Sequence, residues 1–341
     1  MNDIREFLSR RPLLFDGGMG TYYKAAPGIE CERANQTDPA GVQAVHREYL
    51  EAGADAIKTN TFGLPRMAAA HTPGWEALAE AGWKLAEAAA VPAGAFVFAD
   101  LGPAPETEAL PAAQVYTAVA EQFQKLGAKN FLFETLSSDA GILEAVRTLK
   151  AAEPDAFVLV SFAVLPDGYT REGLYCKDLV RRMSESGCVD AVGLNCVSAP
   201  GAMRTLARSL SSALPLSVMP NAGYPVVTRT QVRYQGKPEY FAQELSGLAA
   251  DGVVRILGGC CGTTPAHISK MIEVCRKKPF AAPVPKHRTV VSSFSQTVEI
   301  GPKPVIIGER INPTGKSKFK AALRENNIEY ILGEGMAQED S

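Results

Sequence analysis

Over the first 278 residues, short β-rich runs alternate with longer stretches in which apolar residues recur at helical spacing. Eight runs read as strands: 12–16 (PLLFD), 54–61 (ADAIKTNT), 95–100 (AFVFAD), 130–135 (NFLFET), 157–163 (FVLVSFA), 190–196 (DAVGLNC), 215–221 (PLSVMPN) and 254–260 (VRILGGC). The stretches between them open on capping residues or prolines, such as Asp38-Pro39, Asp139 and Thr264-Pro265. Several of them close on a glycine, at Gly53, Gly127, Gly187 and Gly252. Strands that are apolar almost throughout and separated by helices imply a parallel sheet covered by helices. Eight such units in this length fit a closed (β/α)8 TIM barrel better than an open doubly wound sheet.

Polar and reactive residues fall at equivalent places in this pattern. Asp16, Asn60, Asp100, Glu134, Cys196, Asn221 and Cys260 each lie at or just after the C-terminal end of an expected strand. In a closed barrel those ends form one face, where the site of such an enzyme is built. Polarity resuming at strand ends explains an Asp or Asn at some of these places, but it explains two cysteines less well. Residues 279–303, rich in Pro, Ser and Val, carry no helical period and read as a linker. Residues 304–341 then run strand, Gly/Pro loop, helix, which is too little to bury a core of its own.

Composition narrows the function classes. The 341 residues are 46% hydrophobic and 21% charged, as in a globular chain. With 35 basic and 37 acidic residues there is no global electrostatic case for a nucleic-acid or membrane partner. No apolar run approaches the roughly 18 residues of a membrane span. The opening MNDIREFLSRRPLLFDGG lacks a signal-peptide core, so the expected location is cytoplasmic. Seven cysteines in such a chain argue for reduced thiols or metal ligands, not a disulfide framework.

The strongest chemical signal is GGCCGTTPAHI at 258–268. Neighbouring strand residues point to opposite faces, but flanking glycines can turn the backbone until the sulfurs of Cys260 and Cys261 converge. Cys196 ends the sixth strand on the same mouth. Three thiolates suit Zn2+ and leave a fourth tetrahedral position for substrate. Such a site can hold an incoming thiol as a nucleophilic thiolate at neutral pH, which suits alkyl transfer to sulfur. The competing readings are a buried, inert Cys196 and a vicinal disulfide at 260–261. HExxH is absent and the four histidines are not spaced as a ligand cluster, which weakens a hydrolase reading.

Taken in order, DGGMGT (16–21), KTNTFG (58–63), FET (133–135), GLNC (193–196), PNAG (220–223) and GGCCGTTPAHI resemble the homocysteine S-methyltransferase family. The resemblance spans about residues 10–278. It implies a zinc barrel that methylates homocysteine to methionine, with Cys196, Cys260 and Cys261 as ligands. It places Asp16 and Glu134 at the substrate amino group, with Glu134 paired to a lysine as the structural alternative. It puts Thr135 at the pocket border and Asn221 near the metal. Asn60, Asp100 and Ser161 are mouth candidates that equally suit loop hydrogen bonding, and Tyr22 and Tyr23 suit either the substrate mouth or rim packing.

The barrel motifs leave the methyl donor open among methylcobalamin, betaine and S-methylmethionine. VIIGERINPTGK (305–316) resembles the opening of the pterin-binding barrel that follows this domain in the cobalamin-dependent methionine synthase family, where the asparagine equivalent to Asn312 lies in the folate site. The implied organisation is a homocysteine-binding barrel (1–278), a linker (279–303) and an incomplete start of a pterin-binding domain (304–341). Methylcobalamin and methyltetrahydrofolate would then act only through a cobalamin-bearing domain or subunit and other modules outside this chain. A non-catalytic zinc or thiol-binding module is the reading from another class.

Overall fold

Eight parallel strands alternate with helices in the computed structural model, which describes residues 3–24, 29–106, 110–227, 232–250, 252, 254–279, 289–292, 297–301, 303–304 and 311–339. The strands are β1 (Leu13–Leu14), β2 (Ala56–Lys58), β3 (Phe96–Leu101), β4 (Asn130–Leu136), β5 (Phe157–Phe162), β6 (Ala191–Asn195), β7 (Leu216–Met219) and β8 (Val254–Leu257). Each of β2 to β7 pairs with its neighbours in sequence, and β8 pairs with both β7 and β1. A parallel bridge from Phe15 to Ala56 joins β1 to β2 and closes the ring. All eight expected strands are present. Those expected to reach 61, 221 and 260 stop earlier, because the chain leaves the ladder there to form the loops of the mouth.

Alternation along each strand sorts its side chains into two layers. One set, including Val97, Phe131, Val158, Val192 and Val218, packs outward against the helices. The other, including Ala56, Phe96, Phe98, Leu132, Phe157, Leu159, Met219 and Ile256, fills the barrel. Phe98 sits between Phe15, at 4.7 Å, and Phe157, at 6.0 Å between ring centroids. The interior is therefore a packed core up to the level of the mouth.

A short helix, Ile4–Arg10, is an addition to the expected pattern. Its Ile4 and Leu8 join the interior cluster, and Arg5 reaches Asp190 at 2.7 Å and the carbonyl of Ala156 at 2.9 Å. Asp38 caps helix Pro39–Glu51 as expected, accepting from the amide of Gly41, and Thr264 forms a capping box with His267. Asp139 does not cap: Gly141 precedes helix Ile142–Ala152, and Asp139 pairs with Arg182 at 2.8 Å. A small antiparallel hairpin, Pro225–Val227 with Val232–Tyr234, interrupts the alternation after β7.

Contacts divide the chain into residues 1–283 and 284–341. Within the second unit, the stretch read as a linker holds an antiparallel pair, Thr289–Ser292 with Thr297–Ile300. Two helices follow, Ser317–Arg324 and Ile328–Glu339, the first burying Phe319 and Ala322. The strand expected at the start of VIIGERINPTGK falls at 305–310, outside the described residues. Among the described residues no helix is long and apolar enough to cross a membrane.

One buried group in the helical layer makes the barrel sensitive to acid. His46, on helix Pro39–Glu51, is fully buried, and neither ring nitrogen has a partner among the described residues. Burial pushes its pKa down from 6.5 to about 4. Between those values the unfolded chain takes up a proton that the native state refuses, so native stability is lost as pH falls. The shift corresponds to roughly 3 kcal/mol. Urea unfolding at pH 7 and pH 4.5 should show this loss, and His46→Leu should remove most of it; an unchanged acid limb in the variant would contradict this assignment.

Candidate metal and substrate site

Continuing the inward alternation above the apolar core brings Lys58 on β2, Asp100 on β3, Glu134 on β4, Ser161 on β5 and, beyond Gly193, Asn195 on β6 to the mouth of the barrel. All are buried. The loops after β1, β7 and β8 add Asp16, Asn221 and the two adjacent cysteines. Above this floor lies a cavity of about 230 Å3, lined by Gly18–Thr21, Cys31, Glu32, Lys58–Phe62, Asp100, Glu134, Thr135, Cys196, Cys260 and Cys261.

The three cysteines converge. Their sulfur atoms all lie within 4.8 Å of one another, and those of Cys196 and Cys261 are 3.9 Å apart. Zn–S bonds of about 2.3 Å in a tetrahedron put sulfurs about 3.8 Å apart, so this donor set fits zinc in both chemistry and spacing. Several anchors hold the loop that carries the pair. The amide of Gly259 donates to the carbonyl of Asp16, that of Cys260 to Pro220, and that of Ala222 to Cys261. Glycine is required at two places. A Cβ on Gly18 would lie 2.5 Å from the carbonyl oxygen of Cys260, and Gly262 has φ 77° with the ring of Tyr234 directly against it.

Three non-glycine residues at the mouth take left-handed backbone: Thr135 (φ 61°), Cys196 (φ 57°) and Val197 (φ 51°). Such conformations cost on the order of 1–3 kcal/mol each and persist only where the surroundings over-determine them. Asn195 provides that constraint for Thr135. Its Oδ1 accepts from the Thr135 amide at 2.9 Å, and its Nδ2 donates to Thr135 Oγ1 at 2.8 Å and to Glu134 Oε2 at 3.1 Å. One amide side chain thus ties the Glu134–Thr135 step to the residue just before Cys196.

The charges below the cavity are out of balance. Lys58 Nζ lies 3.7 Å from Glu134 Oε2 and donates to the carbonyl of Gly259 at 3.3 Å, while the Lys58 amide donates to Asp16 Oδ2 at 3.0 Å. Burial works against the Lys58 ammonium, but Glu134 and Asp16 more than offset it and lift its pKa well above the usual value. Burial also pushes Glu134 and Asp16 up, each to about 7, with Lys58 pulling both back. Burial and then Glu134 carry Asp100 far above the ordinary carboxylate range. Asp16 Oδ1 and Asp100 Oδ1 are buried with no hydrogen-bond partner among the described residues. Within the sulfur cluster, contacts from Cys196 and then Cys260 pull Cys261 toward the thiolate, while contacts from Cys260 and then Cys261 hold the proton on Cys196.

The residues expected at the site divide accordingly. Cys196, Cys260, Cys261, Glu134 and Thr135 line the cavity together, as do Asn60 and Asp100. Asn60 spends its Nδ2 on the carbonyl of Cys31 and on Asn35 Oδ1, which is loop bonding. Asp16, Ser161 and Asn221 are buried but are not among the lining residues; the Asn221 side-chain oxygen and the Ser161 hydroxyl have no partner among the described residues. Tyr22 donates to Glu48 on helix Pro39–Glu51 and Tyr23 to Asp38, the residue that caps it, which is rim packing. Glu134 does pair with a lysine, Lys58, while still facing the cavity.

Lys58, Asn195 and Tyr234 were not singled out from the sequence. A lysine two places beyond an inward Ala56 in an apolar strand is a signal for the first, and the residue before Cys196 in GLNC is one for the second. Tyr234, whose hydroxyl bonds Cys261, comes from the hairpin and left no pattern.

Comparison with known proteins agrees with this geometry. Methionine synthase of Mycobacterium tuberculosis is 31% identical over 366 residues, covering 97% of this chain and 30% of that protein. Its counterpart from Mycobacterium leprae is 32% identical over the same span. The chain thus spans 30% of the length of these curated relatives. Homocysteine methyltransferase MmuM from Escherichia coli, in its metallated form, shares the fold with a TM-score of 0.63, at 23% identity over 79% of this chain and 99% of that one. Residues 13–275 match the family model for homocysteine S-methyltransferase, and with the barrel and its sulfur cluster this shows that the chain belongs to the homocysteine S-methyltransferase family.

Proposed function

We propose that this barrel binds homocysteine at its mouth and activates the homocysteine sulfur to accept a methyl group, giving methionine, as the homocysteine-activating part of a cobalamin-dependent methionine synthase. The observation that carries the reading is the meeting of three sulfurs with three buried carboxylates that share one lysine, Lys58. A substrate with a thiol at one end and an ammonium at the other complements both halves.

Cys196, Cys260 and Cys261 would hold Zn2+, which when bound keeps a thiol ionised at neutral pH without abolishing its nucleophilicity. Glu134, aimed by Asn195, meets the substrate ammonium from the cavity wall. Asp16, held by the Lys58 amide, adds a second buried carboxylate from beneath, which the single Lys58 cation leaves incompletely neutralised. Held between the sulfur site and Glu134, the substrate sulfur would present its lone pair to a donor carbon approaching from the open mouth. A new S–CH3 bond forms as the bond from methyl to its carrier breaks, and the carrier keeps that bond's electron pair.

The relation to mycobacterial methionine synthases supports methylcobalamin as donor, presented by a cobalamin-bearing domain or subunit and recharged from methyltetrahydrofolate. The match to nearly the whole length of the homocysteine methyltransferase MmuM supports a second reading in which S-methylmethionine or betaine donates to the barrel directly.

Metal analysis of the purified chain should find zinc, and Cys261→Ser or Cys196→Ser should lose most of it together with methionine formation. Retention of both zinc and activity by either variant would overturn the site. Glu134→Gln should keep zinc and raise the KM for homocysteine by about 10- to 100-fold, the cost of one buried charge-assisted contact. Comparing rates with methylcobalamin, S-methylmethionine and betaine decides the donor, and a faster reaction with either of the last two favours the second reading.

A further inference from the structure

Lys58 touches the ends of three strands. Its amide holds Asp16 after β1, its Nζ lies beside Glu134 on β4, and the same Nζ donates to the carbonyl of Gly259 after β8. Gly259 immediately precedes the Cys260–Cys261 pair. The side chains of Lys58 and Glu134 are 5% and 6% exposed, so this bridge works with little solvent screening. Both Lys58 and Asn195 approach the same carboxylate oxygen, Oε2, so an incoming ammonium meets Oε1. The bridge therefore runs from the carboxylate that receives the amine to the loop that carries two of the sulfurs.

We propose that Lys58 is a specificity-determining, positioning residue: by setting the span between Glu134 and the Cys260–Cys261 loop, it selects homocysteine over the shorter amino thiol cysteine. The inference rests on the function proposed above. A pocket that only surrounds a chain of carbons discriminates one methylene by roughly 10- to 200-fold. A fixed span sharpens this, because cysteine cannot satisfy the carboxylate and the sulfur site at once and leaves one of them unpartnered. Without the ammonium bridge, Glu134 and the loop adjust separately and the shorter substrate is accommodated.

The test is calorimetric titration of the zinc-loaded chain with homocysteine and with cysteine, for wild type, K58M, K58Q and K58R, with zinc content measured in each. The expected result is a wild-type preference for homocysteine that falls about tenfold in K58M and K58Q at unchanged zinc content, mainly through tighter relative binding of cysteine. K58R keeps the charge in a longer planar group and should shift the ratio less than the neutral variants but measurably. If the neutral variants do not fold, K58R decides: a ratio equal to that of wild type overturns the proposal. Equal weakening of both thiols, with their ratio preserved, also overturns it and leaves Lys58 a structural residue. Wild type binding neither thiol would instead bring down the reading of the site, and this inference with it.

Discussion

Closure of the sheet is the constraint from which everything at the mouth follows. Cys196 and Cys261 are 65 residues apart in the chain, and their sulfurs meet only because β6 and β8 flank β7 in one parallel ring. The same closure, through the pairing of β1 with β8 and the Phe15–Ala56 bridge, brings Asp16 beneath the loop that follows β8. Each contributing strand supplies a few residues. A packed phenyl and aliphatic interior keeps those strands at fixed height, so the polar level above it is set by the core below.

That polar level is held at a cost. A left-handed threonine, a left-handed cysteine and three buried carboxylates around one lysine are each unfavourable alone. They persist because hydrogen bonds run between neighbouring strands: Asn195 to Glu134 and Thr135, and Lys58 to Gly259. Concentrated strain and incompletely paired charge in one cleft are the expected marks of a site arranged for something that arrives from outside.

Much of this was legible from the pattern of residues. Apolar strands with reactive residues at their C-terminal ends led to the barrel and to the face that carries the sulfurs, because alternation and parallel connection leave few arrangements. Cys260 and Cys261 were legible because glycines surround them. Contacts that depend on register between strands were not. Nothing in GLNC says that Asn195 will face Glu134, and nothing in KTNTFG says that Lys58 will reach across to Gly259; both follow from where the strands stagger. The cap expected at Asp139 failed because Gly141, with its left-handed backbone, offered an alternative entry to the helix and released the carboxylate to Arg182. The hairpin bearing Tyr234 has strands too short to declare a period.

The helix Ile4–Arg10 bears on how the molecule is made. Its partners lie far down the chain: Phe7 packs edge-on against Phe96, Arg5 binds Asp190 and the carbonyl of Ala156, and Arg255 reaches the carbonyl of Leu8. During synthesis this segment leaves the ribosome before any of these partners, yet its seat is complete only after the eighth strand has been translated. Until then Ile4, Phe7 and Leu8 have no floor to seal, and this helical turn waits as an open stopper for a vessel still unfinished.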